Sequence, residues 1–525
     1  MYKVESLRSY IYCHYSGVFK CYSLRVLGFT GSKILSSSIG DLKCLRYLNL
    51  SDGGFETLPE SLCKLWNLQI LILDHCQHLL KLPNSLIRLK ALQHLSLKDC
   101  NKLSSLPPQI GKLTSLRILS KYFVGNERGF HLAELGPLKL KGDLEIKHLG
   151  KVKSVKDAKE ANMSSKQLNK LWLLWDNNEE SELQDNVEEI LQVLQPDTQQ
   201  LQYLRVEGYK GVNFSQWMTS TPSLKYLTRL ELKYCKSSLH LPALGKLPSL
   251  KTLWIFDMIR VKYLFEESCD GGIVFMALED LSLMYMPSLI SLSREDGEIM
   301  FPHLSKFTVF ECRKFSRLSR EDGKNKFLCL SRLDIGQCPK LLGLPSLPSI
   351  NDLIIEGKCK KDLLSSIHKL SSLESLWIEG NEELTCFPDG MLQNLTSLKK
   401  LDLHRLSKLE VLQTEMINLN SMQELFIWNC NNIKLWLQGL HSLKKLNVLD
   451  CHKFIVSAGF QCLTCLEELS IERCKEVEGL HEALQHMISL KELTLSSLPN
   501  LESLPDCFGN LPLLHRLSIY GCSEL

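Results

Sequence analysis

The stretch Leu68-Gln69-Ile70-Leu71-Ile72-Leu73-Asp74-His75-Cys76-Gln77-His78-Leu79-Leu80-Lys81-Leu82-Pro83 decides the fold. Counted from Leu68, apolar residues fall three, five, eleven and fourteen positions on, at Leu71, Leu73, Leu79 and Leu82, and a cysteine sits at the eighth. The following stretch repeats it with Leu92, Leu95, Leu97, Cys100, Leu103 and Leu106. Far along the chain come Leu330, Leu333, Ile335, Cys338, Leu341 and Leu344, then Leu490, Leu493, Leu495, Leu498, Leu501 and Leu504. Opening positions fall at Leu24, Leu45, Leu68, Leu92 and Leu116, and resume at Leu227, Leu250, Leu278, Leu304, Leu330, Ile350, Leu373, Leu398, Met422, Leu443, Leu466, Leu490 and Leu514.

A central apolar-x-apolar such as Leu401-Asp402-Leu403 alternates with period two and predicts a short strand. One such strand has no means of burying its apolar side alone. Stacked repeats bury it together in a parallel sheet, while the rest of each repeat returns over the other side. Each buried leucine contributes about 1.5–3 kcal/mol, so stability accumulates repeat by repeat. In Leu58-Pro59-Glu60-Ser61-Leu62-Cys63-Lys64-Leu65 the proline suits the start of a brief helix or 3₁₀ turn. The expected fold is therefore an α/β leucine-rich-repeat solenoid, a horseshoe with a concave parallel β-sheet and a mostly irregular or short-helical convex side.

Nine of the 20 cysteines occupy the eighth position: Cys76, Cys100, Cys235, Cys312, Cys338, Cys430, Cys451, Cys474 and Cys522. A small side chain there can bond the backbone as it leaves the strand, and cysteine buries readily. Zinc fits poorly, because thiols about one repeat apart do not form ligand pairs and the one C-x-x-C, Cys462 to Cys465, has no matching pair. No cofactor or metal is expected.

At 525 residues the chain exceeds what one globular core usually organises. A net charge of +3, from 62 basic and 59 acidic residues, offers no field for nucleic acid. Met1 to Leu27 lacks an apolar signal core, and Leu171-Trp172-Leu173-Leu174-Trp175 is too short to span a bilayer. With so many cysteines and no export signal, the reading is cytoplasmic, with free thiols. The sequons at Asn49, Asn162, Asn213 and Asn394 would matter only in a secreted protein.

Three segments are expected: 1–119 with L-P repeats, 120–226 irregular with an acidic helical insertion, and 227–525 with repeats to the end. In the middle, Leu144-Glu145-Ile146, Leu171-Trp172-Leu173 and Leu204-Arg205-Val206 read as strands. Val187, Ile190, Leu191 and Leu194 have helical spacing up to Pro196, among Asp176, Glu179, Glu180, Glu182, Asp185, Glu188 and Glu189. That acidic side reads either as a solvated face or as a surface for a basic partner. The last repeat begins at Leu514 and stops at Leu525, and no polar cap precedes Leu7 to Tyr12, so a fragment or abbreviated product is expected.

The chain resembles the repeat region of plant disease-resistance proteins of the coiled-coil, nucleotide-binding, leucine-rich-repeat class. Its marks are Ser23-Leu24-Arg25-Val26-Leu27, Ile39-Gly40-Asp41-Leu42-Lys43 and Leu45-Arg46-Tyr47-Leu48-Asn49-Leu50-Ser51. More specific are Leu132-Ala133-Glu134-Leu135-Gly136, Gly142-Asp143-Leu144-Glu145-Ile146 and Asp157-Ala158-Lys159-Glu160-Ala161-Asn162. The resemblance implies a sensor of pathogen-derived or host proteins, or a restraint on an attached nucleotide-binding domain. No G-x-x-x-x-G-K-[ST] occurs in these residues, so nucleotide binding is not expected of them.

Partner contacts are expected on the residues that flank the inward leucines: Trp172, Trp254, Phe256, Met284, Phe310, Trp377, Phe426 and Trp428. The competing reading is that these side chains pack on one another and stiffen the sheet. Lys399, Lys400, Lys444 and Lys445 line up beside Glu467, Glu468 and Glu492, either as a solvated face or as a complement to a partner. The histidines show no recurring pairing with Cys, Asp or Glu, so no catalytic residues are expected. The expected function is non-enzymatic protein recognition in plant immunity. The alternatives are a freestanding intracellular scaffold and, third, a secreted receptor fragment.

Overall fold

The computed structural model describes residues 8–11, 22–31, 33–175, 186–218, 224–265, 273–293, 299–318, 327–410, 419–433, 437, 439–455, 462–478, 480–501, 503 and 511–525. Leu7, Tyr12, Leu504 and the acidic residues Asp176, Glu179, Glu180, Glu182 and Asp185 lie outside them. The chain divides into two compact units, Met1–Met258 and Ile259–Leu525.

In the first unit, strands Ser9–Ile11, Val26–Gly28, Tyr47–Asn49, Ile70–Ile72, His94–Ser96 and Ile118–Leu119 pair in parallel and in sequence order. The series breaks at Ser120, whose hydroxyl accepts the Leu97 amide at 2.7 Å in place of a backbone carbonyl. Pairing restarts at Lys121–Phe123 and continues through Lys141–Lys147, Gln167–Leu174, Tyr203–Glu207, Arg229–Lys233 and Thr252–Phe256. The second unit stacks strands Asp280–Met284, Lys306–Phe310, Arg332–Gly336, Asp352–Glu356, Ser375–Glu379 and Lys400–His404. The series goes on through Glu424–Trp428, Lys445–Leu449, Glu468–Glu472, Glu492–Ser496 and Arg516–Tyr520. Each unit is thus a leucine-rich-repeat stack.

Register follows the buried leucines. Leu333, Leu353, Leu376 and Leu401 are matched strand to strand, and all four are fully buried. A one-residue slip would carry each of them to the other face, so the apolar alternation locks the pairing. A further core position lies three residues before each opening. Leu65, Leu89, Leu370 and Leu395 fill it, and its carbonyl accepts the opening amide, as in Leu68 to Leu65 at 2.9 Å. In part of the second unit phenylalanines take this position, with Phe275, Phe301 and Phe327 stacked at centroid distances of 5.2 and 5.6 Å. The period was legible without this position, which the sequence reading passed over.

Prolines start the short returns where the sequence places them: Pro59 precedes the 3₁₀ turn Glu60–Lys64, and Pro83 precedes Asn84–Arg88. The irregular centre carries helices Val155–Glu160, capped by the Ser154 hydroxyl, and Val187–Val193. On the second helix Glu188 is not simply solvated. Its Oε1 accepts the amides of Val212 and Asn213 at 3.0 and 2.9 Å and pins the next return loop. Lys166 is fully buried without a carboxylate partner among the described residues. Its ammonium donates to the carbonyls of Leu135, Leu138 and Asn162, and burial pulls its pKa down to about 8.

Just past many of the strands, one residue on for most and three residues on at His75 and Asp99, the backbone turns left-handed. His75, Asp99, Tyr234, Glu311, Gln337, Arg405, Asn429, Asp450, Arg473 and Ser497 have φ between 51° and 60°, and Gly357 and Gly380 take the same place. Such conformations cost non-glycine residues about 1–2 kcal/mol. Here the turn delivers the next side chain inward. The thiols there donate to a carbonyl one repeat back: Cys76 to Leu50 at 3.3 Å, Cys100 to Leu73 at 3.0 Å and Cys430 to Leu403 at 3.6 Å. The same holds at Cys235, Cys312, Cys338 and Cys474, whereas Cys451 bonds to Leu449 within its own repeat. All these cysteines are free.

Candidate functional site

Alternation places every second strand residue on the open face of the sheet, where backbone amides are already paired and only side chains distinguish one repeat from another. On the first unit this face is a web of charges over aromatic rings. Glu231 is 2% exposed and accepts ion pairs from Arg229 and Lys233, both at 2.7 Å. Burial acts to raise the Glu231 pKa, yet hydrogen bonds and charge from Lys233 and Arg229 carry it below the usual range. The Arg229 guanidinium lies 4.1 Å from the Trp254 ring centroid, Trp172 packs on Tyr203 at 5.0 Å, and Phe256 meets Tyr234 edge-on at 5.1 Å. Trp172, Trp254 and Phe256 are therefore on the open face, each engaged by a neighbour.

On the second unit the aromatic groups gather across adjacent strands. Trp377 stacks on His404 at 4.0 Å and 17°, and His404 meets Trp428 edge-on at 5.6 Å. Both indoles are fixed through their N–H groups, Trp377 to Glu379 at 3.0 Å and Trp428 to Asp450 at 2.8 Å. Arg473 grips the same Asp450 with two bonds of 2.6 and 2.7 Å, and Arg405 pairs with Glu379. Phe426 lies under the Lys400 ammonium at 5.1 Å, and Lys400 also reaches Asp402 at 3.1 Å. Trp428 remains 38% exposed. Neither ring nitrogen of His404 has a hydrogen-bond partner among the described residues, and burial holds its pKa below the usual histidine range against the pull of Asp402 and Glu379. Met284 and Phe310 are matched on neighbouring strands, with Phe310 edge-on to Tyr285 at 5.7 Å.

The aligned charges pair across strands. Lys399 meets Glu374 and Lys445 meets Glu468 at 2.8 Å, Lys491 meets Glu467 at 2.7 Å, and Arg516 meets Glu492 at 2.9 Å. His404, Glu231 and Asp450 escaped the sequence reading. The signal for His404 is its column: aligned by repeat, it takes the same outward slot as Trp428 on the next strand.

Residues 132–258 match the family described as R13L1/DRL21 LRRs. The putative disease resistance protein RGA4 of Solanum bulbocastanum is 34% identical over 54% of this chain and 26% of its own length. This chain is a leucine-rich-repeat region related to those of plant disease-resistance proteins. The disease resistance protein RGA2 of the same plant is 33% identical over 71% of the repeat region and 36% of its own length. A putative disease resistance RPP13-like protein 1 from Arabidopsis thaliana reaches 39% over 46% of the repeat region and 24% of its own length. The repeat region thus spans about a quarter to a third of these relatives. Among the described residues no helix is long and apolar enough to cross a membrane, and no group of three or more His, Cys, Asp or Glu side chains is placed to hold a metal ion.

Proposed function

We propose that this chain is a recognition region of a plant defence protein and takes up a protein partner on the open face of its strands. The observation that carries the reading is the gathering of Trp377, Phe426 and Trp428 on nearby strands, with the Trp428 indole fixed by Asp450 yet 38% exposed. A pre-positioned, half-exposed aromatic group loses little freedom on binding and is the commonest kind of interface hot spot. Met284 and Phe310 extend the contact surface within the second unit, and Trp172, Trp254 and Phe256 offer contacts on the open face of the first, each unit taken by itself. The partner is a pathogen-derived or host protein, or a nucleotide-binding domain; recognition of this kind needs no catalytic centre. The same reading puts the chain in the cytoplasm, where its thiols stay reduced.

A photo-crosslinking residue in place of Trp428, compared with one in place of the 60% exposed Trp66, tests this in infected leaf tissue. Trp66 lies off the strands. A discrete crosslinked protein from position 428 and none from position 66 is the expected result. Equal labelling from both positions, or none from either, rejects the open face as the contact surface.

A further inference from the structure

A second surface of the first unit lies where each return climbs into its strand. Two residues before the openings Leu24, Leu45, Leu68 and Leu92 stand Tyr22, Lys43, Trp66 and Lys90, so aromatic and basic side chains alternate from repeat to repeat. All four are exposed, Tyr22 by 63% and Trp66 by 60%, and neither ring has a hydrogen-bond or ring partner among the described residues. Backbone groups tie this edge together. Asn67 donates its side-chain amide to the Lys43 carbonyl at 2.9 Å, and the backbone amides of Arg46 and Gln69 donate to the carbonyls of Arg25 and Arg46 at 2.8 Å. The edge therefore keeps the spacing of the sheet, about 5 Å per repeat, which sets Tyr22 and Trp66 about 10 Å apart with a lysine between them.

The charge here is one-sided. Lys64, Arg88 and Lys112 end the 3₁₀ turns that lead into this edge, and Arg25 and Arg46 directly follow their openings. Asp41 is the one acid at these positions over the first five repeats. No carboxylate pairs with these cations among the described residues. The Lys43 ammonium donates to the carbonyls of Gly40 and Lys64 at 2.6 and 3.4 Å, and that of Lys90 to the Lys112 carbonyl at 2.9 Å. Positions after the openings behave differently in the second unit, where Lys399 and Lys491 meet Glu374 and Glu467. In the first unit the positive charge is left open around two exposed rings.

We infer that this edge of the first unit docks on an anionic lipid surface, with Trp66 and Tyr22 seated among the headgroups and the lysines and arginines against the lipid phosphates and carboxylates. Tryptophan and tyrosine favour the membrane interface, where the ring is buried and its polar tip stays wet. Lysine stems lie along apolar surface while their ammonium groups reach the headgroups. The attraction of each cation to a negative leaflet falls off within about 8–10 Å, so a row that lies against the surface gains most. Single-stranded nucleic acid fits less well, because Trp66 has a lysine on either side and no second ring against which a stacked base could be held. This edge is distinct from the open face and leaves that reading untouched. Docking offers lipid to position 66, so the crosslinking comparison with position 428 keeps its control.

Flotation of the full chain with phosphatidylcholine vesicles, against vesicles in which about a third of the lipid is phosphatidylserine, tests this. The chain is expected to float with the phosphatidylserine vesicles, not with the neutral ones, and to be released by about 0.5 M salt. Lys64→Gln and Arg46→Gln should each weaken binding about fivefold. Trp66→Ala should weaken it about tenfold. Melting temperatures should not change, because all three side chains are exposed. Lys491→Gln, at a lysine already paired with Glu467, and Trp428→Ala, on the open face, should leave vesicle binding unchanged. Equal binding to both vesicles, an equal loss in Lys491→Gln, or a Trp66→Ala chain that floats as well as the parent would overturn the docking edge. Tighter binding of polyuridylate or polyglutamate, with the same dependence on Trp66, would also overturn it and assign the edge to nucleic acid or to an acidic protein.

Discussion

The imidazole of His404 lies against the indole of Trp377, ring centroids 4.0 Å apart and planes 17° from parallel. The two come from adjacent strands but from different levels, Trp377 between the inward residues of its strand and His404 at the end of the next. Neutral imidazole suits this place. A charged ring would bring two desolvated N–H donors with no acceptor among the described residues.

His404 should therefore make stability depend on pH. Its folded pKa lies below the ordinary 6.5, so as pH falls through about 6.5 the unfolded chain binds a proton that the folded chain refuses. Stability is expected to fall across that window and to level off below the folded pKa. His94, also lowered by burial, adds the same sign, so the comparison is with His404→Phe. Denaturant midpoints from pH 7.5 down to pH 5 should decline less in the variant; identical declines would show that the imidazole titrates normally.

Core and open face should respond differently to truncation. Leu401 is fully buried, and Leu401→Ala is expected to cost about 2–5 kcal/mol. Trp428→Ala removes a partly exposed ring with one edge contact and one hydrogen bond to Asp450, and should cost about 0.5–1.5 kcal/mol. Urea melts of both variants test the ordering. A reversal would mean that the Trp428 stack, and not the leucine layer, holds those strands.

The left-handed turn at Gly380 can be strained without touching a contact. A side chain on Gly380 meets nothing closer than 3.6 Å, but its φ of 69° is hostile to β-branched residues. Gly380→Val should lose about 1–2 kcal/mol from backbone strain alone. An unchanged melting temperature would show that the turn relaxes freely.

Thiol reactivity should separate the two cysteine classes. Cys44, Cys329, Cys386 and Cys465 are exposed, whereas burial lifts Cys430 to about 11 and Cys235 to about 12. Because only the thiolate alkylates, iodoacetamide at neutral pH should label the exposed set first, and the buried row only on unfolding. Mass mapping that found Cys235 or Cys430 modified in the native chain would contradict the packed row.

Much of this architecture could be read from spacing. Leu68, Leu71 and Leu73 announce a strand with one apolar side, and Cys76 announces the ridge that follows it. The helix at Val187–Val193 was equally legible, because Val187, Ile190 and Leu191 recur at helical intervals. The role of Glu188 was not. Its amide partners on Val212 and Asn213 lie a full repeat away, and no local pattern marks an acceptor for them.

By itself the sequence determined the repeat, the inward leucines, the thiol row and the set of outward positions, because each depends on periodicity within one repeat. Tertiary structure alone decided which outward side chains meet. Trp377 finds His404, Arg473 finds Asp450, and Glu188 finds the amides of Val212 and Asn213, through register and rotamer choices made between repeats. Apolar burial sets the register with many identical votes, whereas each surface pairing depends on a single neighbour that the period does not name.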